Sequence, residues 1–167
     1  MEWTTTHISS PLGHLLVVLE GEVVVGLDFA DGAARLARLL ANQHSPRGWT
    51  EVPAVPHVKR ALDAYFEGDL VALDPLPVRL GGTEFQRRVW HALREIPARS
   101  VTSYGALARQ IGAPNASRAV GLANGSNPIA LLLPCHRVIG ANGTLTGYAG
   151  GLARKEWLLR HEGALLL

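Results

Sequence analysis

The spacing of apolar positions changes along this chain, and each change marks an element. Close to the start they fall in short runs, Thr4–Ile8, Leu15–Leu19 and Val23–Phe29, separated by turn residues at Pro11–Gly13 and Glu20–Gly21. Short apolar runs bounded by turns predict three strands. The period then lengthens. Ala33, Leu36, Ala37 and Leu40 share one face of a helix that Asp31 is placed to cap. Three prolines within residues 45–56 predict a loop, after which Val58, Ala61, Leu62, Tyr65 and Phe66 restore helical spacing as far as Gly68. Residues 69–82, with two prolines and Gly81-Gly82, read as a linker.

Beyond it the pattern is helical. Thr83-Glu84-Phe85-Gln86 has the form of a capping box, and Phe85, Val89, Leu93 and Ile96 line one side of the helix it starts, which Pro97 ends. Ser103 precedes a short helix through Ile111. Gly112-Ala113-Pro114-Asn115 breaks it, and a second short helix runs from Ala116 to Asn124, closed by Gly125. Two short helices and a tight turn have the outline of a helix-turn-helix, an outline that ordinary helical hairpins share. Ile129–Leu133 predicts a buried strand, Asn142-Gly143 a tight turn, and Leu152–His161 a last helix ending at Gly163.

Composition narrows the class. Of 167 residues 47% are hydrophobic and 18% charged, enough to build a core and too apolar for intrinsic disorder. No apolar run approaches the ~18 residues that span a bilayer. The opening Met1-Glu2-Trp3-Thr4-Thr5 lacks the profile of a secretory signal, so an intracellular, cytoplasmic protein without membrane partners is expected. The single Cys135 excludes an internal disulfide and any zinc site needing two thiolates, and the seven histidines include no H-x-x-x-H pair. No metal is expected. Charge divides the chain: residues 1–78 carry a net −5 and residues 79–167 a net +7. Two modules are therefore expected, 1–78 and 79–167, the basic one facing either an anion such as nucleic acid or simply solvent.

Chemistry concentrates at Pro134-Cys135-His136-Arg137. Placed just after the predicted strand, Cys135 sits where reactive groups are often presented, and His136 and Arg137 are cations able to lower a thiol pKa. The alternative is an inert buried thiol. His136 serves as a base only with an orienting partner, and Glu156 is the nearest acidic candidate in sequence. The second short helix is nearly bare, with Ala116, Ala119, Gly121, Ala123 and Gly125 around the single charge of Arg118. Such a surface suits close approach to a narrow groove, with Arg118 replacing a base displaced from the stack, or else tight packing of helices.

At these residues the chain resembles the O6-alkylguanine-DNA alkyltransferases. The resemblance rests on Phe85-Gln86-Arg87-Arg88-Val89-Trp90, Ser103-Tyr104-Gly105-Ala106-Leu107-Ala108, Ser117-Arg118-Ala119-Val120-Gly121, Asn127-Pro128 and Pro134-Cys135-His136-Arg137-Val138-Ile139. It continues through Gly147-Tyr148 and Gly150-Gly151-Leu152 to Lys155-Glu156-Trp157-Leu158-Leu159. These occur in order over residues 83–163. The resemblance implies a small α/β module, ribonuclease H-like, followed by a mainly α-helical domain with a helix-turn-helix. It implies that Cys135 accepts the alkyl group, that His136 acts on it through a water, that Glu156 orients His136, and that Asn127 braces the turn after the recognition helix. Arg118 then fills the gap left by an extruded nucleotide. Tyr104 contacts the flipped guanine and turns the backbone phosphate, Ala119 and Gly121 also face DNA, and Val138, Tyr148 and Ala149 wall the pocket.

The reaction implied is irreversible transfer from O6 of guanine, and conceivably from O4 of thymine, in duplex DNA to Cys135, once per molecule and without a cofactor. The base must leave the stack, at a cost of a few kcal/mol. Small residues at Ala130 and Ala149 predict tolerance of groups larger than methyl. A monomer, able to assemble cooperatively on DNA, is expected. Two other classes fit parts of the pattern: a lesion-binding sensor that transfers nothing, and a turnover thiol hydrolase with a Cys-His-Glu arrangement.

Overall fold

A computed structural model describes residues 2–164; Met1 and residues 165–167, the outermost positions of the two expected modules, lie outside the described residues. The chain forms two compact units, residues 1–82 with 128–132, and residues 83–127 with 133–167. The expected division after residue 78 moves to Gly82 because residues 77–82 are tied to the first unit. Val24 donates its N–H to Pro77 O, Arg79 donates to Val24 O, and Gly82 donates to Gln43 O. A Cβ at Gly81 would lie 2.1 Å from Gln43 O, so only glycine allows that approach.

In the first unit β1 (Trp3–Ser10), β2 (Gly13–Glu20) and β3 (Val23–Phe29) form an antiparallel meander. A fourth strand, β4 (Trp49–Glu51), pairs parallel with β1 inside the stretch expected to be loop, giving the order β3-β2-β1-β4. Its three residues are exposed, so no alternation of apolar and polar positions announces it. Helix α1 (Ala33–Gln43) sets Leu36 and Leu40 on Trp3, Leu16, Val18 and Val25. Gly26 makes this close packing possible: a Cβ there would stand 3.0 Å from Leu40 and 3.3 Å from Leu36. Asp31 does not cap the helix. It lies within a 3-10 turn, Ala30–Gly32, and Gly32 takes the cap position. Helix α2 (Pro56–Phe66) buries Val58, Leu62 and Tyr65.

The second unit opens with α3 (Glu84–Arg94), whose capping box is complete: Thr83 accepts from Gln86 N, and Gln86 accepts from Thr83 N. Such a cap contributes about 1 kcal/mol. Val89, Trp90 and Leu93 are fully buried, and the Trp90 indole N–H donates to Ala123 O at 2.8 Å. That bond fixes α3 against α5 (Ser117–Gly125), which follows α4 (Tyr104–Gln110) in a helix-turn-helix arrangement. Ser103 caps α4 by accepting from Ala106 N. A parallel pair, β5 (Thr102–Ser103) with β6 (Val138–Ile139), and the last helix α6 (Leu152–His161) complete the unit.

The strand expected at Ile129–Leu133 does not form. The segment makes one bridge, Leu27 with Ile129, and then Leu131 takes a left-handed conformation at φ 71°. Leu132 N donates to Ala130 O and Cys135 N to Leu133 O. The run is apolar because every residue in it is buried, and burial alone does not distinguish a strand from a tightly turned segment.

Candidate active site

Cys135 therefore begins a 3-10 turn, Cys135–Arg137, rather than ending a strand. All three residues of the turn are buried. Cys135 is 9% exposed and His136 not at all, so both side chains belong to the buried interior of the second unit. Asn127, itself buried, donates its side-chain amide to Leu133 O at 2.7 Å and joins the end of α5 to the approach to Cys135.

The carboxylate that meets His136 is Glu162, just beyond α6, at 2.9 Å from Nε2. Glu156, the expected orienting residue, instead accepts from Arg160 at 2.8 Å with half its side chain in solvent. Helical geometry explains the correction. Lys155, Leu158, Leu159 and Glu162 follow the i, i+3, i+4, i+7 stripe and all are buried; Glu156 falls outside that stripe. Glu162 also accepts from Arg137 Nε at 2.8 Å and Nη2 at 3.0 Å. Burial alone would raise its pKa, but the bonds from His136 and Arg137 outweigh it and hold the carboxyl well below the usual range. Desolvation in turn lowers the pKa of His136, against the pull of Glu162.

An ionised Glu162 can only accept, so Nε2 of His136 carries the hydrogen. A neutral imidazole then leaves Nδ1 as a lone pair, and that buried atom has no protein partner among the described residues. The arrangement is a base held in one tautomer with its basic nitrogen unengaged. Arg137, expected to help lower the thiol pKa, is committed elsewhere: besides Glu162 it donates to Ile96 O at 2.6 Å. The cation that couples electrostatically to Cys135 is Lys155, fully buried, whose pKa burial brings down to about 8. Its Nζ donates to Val138 O at 2.6 Å and Thr146 O at 2.7 Å. Lys155 thus clamps β6 to the following loop. Lys155 is not among the expected site residues, and a lysine in the apolar stripe of a helix is the sequence signal that marks it.

A second surface lies on α4 and α5. Tyr104, Ser117, Arg118, Gly121 and Leu122 line an open groove of about 440 Å³. Tyr104 is half-buried and accepts from the Thr146 hydroxyl at 3.1 Å. Its ring lies 3.8 Å from where a Cβ at Gly121 would stand. Arg118 and Ala119 are exposed, and Arg118 forms no hydrogen bond or ion pair with any described residue. Val138 is buried in β6, Tyr148 is partly buried, and Ala149 is exposed in the loop that leads to α6. Among the described residues no cluster of three or more His, Cys, Asp or Glu could hold a metal.

The DNA binding domain of the 6-O-methylguanine DNA methyltransferases matches residues 84–164, and their ribonuclease-like domain matches residues 3–80. A methylated-DNA–protein-cysteine methyltransferase of Shigella flexneri is 49% identical over 163 residues, 96% of this chain and 95% of its own length. The chain belongs to this family. The methyltransferase of Mycolicibacterium paratuberculosis is 49% identical over 95% of this chain and 94% of its own. A solved member, the Mycobacterium tuberculosis OGT in complex with DNA, superposes with a TM-score of 0.80 at 44% identity, covering 98% of this chain and 94% of that one. The small α/β module followed by a helical domain is thus the family's fold, and Cys135, His136 and Glu162 fall within the stretch that its DNA binding domain matches.

Proposed function

We propose that this methyltransferase repairs duplex DNA by taking an alkyl group from O6 of guanine onto Cys135. The observation that carries the reading is His136, next in sequence to the only thiol, held by Glu162 at 2.9 Å through Nε2 while its buried Nδ1 has no partner among the described residues. His136 draws the thiol proton away through a water, and the Lys155 ammonium favours the thiolate. The sulfur forms a bond to the alkyl carbon while the bond from that carbon to O6 breaks. Its electrons stay with guanine, which takes up one proton, balancing the one lost by the thiol. The thioether has no leaving group that His136 or water can displace, so each molecule acts once and needs no cofactor.

Reaction at that carbon needs the base out of the stack. The basic surface of α4 and α5 holds the backbone, Arg118 fills the gap, and Tyr104, Ala119 and Gly121 lie against the minor groove. Val138, Tyr148 and Ala149 wall the pocket, where the bare methyl of Ala149 leaves room for groups larger than methyl. O4-alkylthymine is a second substrate. The two units divide the labour, the acidic N-terminal one supporting and the basic C-terminal one binding. The protein acts as a monomer that assembles cooperatively on DNA, inside the cell where chromosomal DNA is reached; no helix among the described residues is long and apolar enough to cross a membrane.

Incubation with excess O6-methylguanine duplex tests this. The expected course is one equivalent transferred and then arrest, with Cys135→Ser binding the same duplex and transferring nothing. Continued turnover would contradict it, as would transfer by Cys135→Ser.

A further inference from the structure

Among the described residues Leu122 is the most exposed large apolar side chain, 74% open to solvent. A lone surface leucine ordinarily needs no explanation. Its position gives this one a meaning. Leu122 stands one helical turn after Arg118 on the outward side of α5, and both line the groove shared with Tyr104 and Gly121. Val120, Ala123 and Asn124 take the buried side of the helix. The other outward positions, Ser117, Ala119 and Gly125, are trimmed to almost nothing, so the isobutyl group projects beside the arginine from an otherwise bare surface.

We infer that Leu122 is a second wedge: it enters the minor groove beside Arg118 and packs against the base step next to the displaced nucleotide. This inference rests on the proposed DNA-facing role of α5. The minor groove is about 6 Å wide, and apolar side chains, leucine among them, pry neighbouring base pairs apart in minor-groove binders. The arginine fills the vacated space, but its short methylene stem and planar head offer the neighbouring base step less apolar bulk than a branched side chain does. Leu122 supplies that bulk, and Gly121 lets the helix approach closely enough to deliver it.

The experiment compares Leu122→Ala and Arg118→Ala with the parent on two substrates, a duplex carrying one O6-methylguanine next to 2-aminopurine and the free base O6-benzylguanine. Leu122→Ala is expected to slow single-turnover transfer from duplex about tenfold, the equivalent of about 1.4 kcal/mol. It should also reduce the 2-aminopurine fluorescence gain and leave the free-base rate and melting temperature unchanged. Leu122→Met should restore most of the duplex rate. If Leu122→Ala keeps the parental duplex rate while Arg118→Ala loses it, the wedge is overturned and base displacement stands. Parental rates in both variants would remove base displacement and the wedge with it. A loss by Leu122→Ala on the free base as large as on duplex would place Leu122 in the reaction pocket and equally overturn the inference.

Discussion

Asp28 in the first unit and Glu162 in the second are 4% and 1% exposed, and their surroundings drive them in opposite directions. Asp28 accepts from Phe29 N at 2.8 Å and from Arg35 at 3.1 Å, and Arg35 keeps a quarter of its side chain in solvent. Desolvation wins there, and the carboxyl pKa is raised. Glu162 receives His136 and two nitrogens of Arg137, all buried with it, and its pKa is lowered. The first unit settles its buried acids with arginines at the rim, as Glu20 also shows with Arg47 and Arg79. The second unit buries both partners of its ion pair, a costly arrangement that an apolar replacement would often better. A network of that kind in the unit that holds the thiol fits a chemical role, where a structural one would be better filled by leucines.

The largest effect that could break this contrast is expected at Glu162. Glu162→Gln leaves Arg137 buried without its countercharge and should destabilise the protein by about 3–5 kcal/mol, read from urea unfolding, with transfer slowed as His136 loses its fixed tautomer. A loss under about 1 kcal/mol would mean the network carries no such load. Acid sharpens the same comparison. His136 titrates below its ordinary 6.5 in the folded state, so below that pH the unfolded chain takes up a proton the folded chain refuses, and stability falls. Glu162 adds a second fall below its ordinary 4.5. Asp28 runs the other way: between 3.8 and its raised value the folded chain holds the extra proton, so its contribution declines as pH rises. Unfolding at steps from about pH 7.5 to 5 should therefore show decreasing stability; a flat profile would contradict a neutral buried His136.

Smaller effects are expected elsewhere. Asp28→Asn keeps an acceptor for Phe29 N and removes a charge that burial disfavours, so its cost should stay within about 1 kcal/mol. Glu156→Gln should change stability by no more than about 0.5 kcal/mol and leave the transfer rate at the parental value. A slow Glu156→Gln would return the orienting role to that residue.

Elements whose signal is local were legible in the sequence. The three strands, the capping box at Thr83, the Ser103 cap and the glycine stops at Gly68 and Gly163 each follow from spacing or from one side chain. What escaped depends on partners distant in sequence. Strand β4 exists because β1 offers it an edge, and Ile129–Leu133 turns instead of extending because Leu131 adopts a conformation no pattern encodes. Nearness in sequence to the Cys135 motif points to Glu156, whereas helical phase puts Lys155 and Glu162 in one stripe with Leu158 and Leu159. In the groove, Arg118 and Gly121 follow from the bareness of the second short helix and Tyr104 from the resemblance, whereas neither marks the exposed Leu122.

Peptide mass mapping after one exposure to O6-methylguanine duplex tests the central claim most directly. The expected product is the peptide containing Cys135 carrying one methyl in place of one hydrogen, stoichiometric with the guanine restored. Restored guanine with an unmodified Cys135, or a methyl found on any other residue, would contradict it.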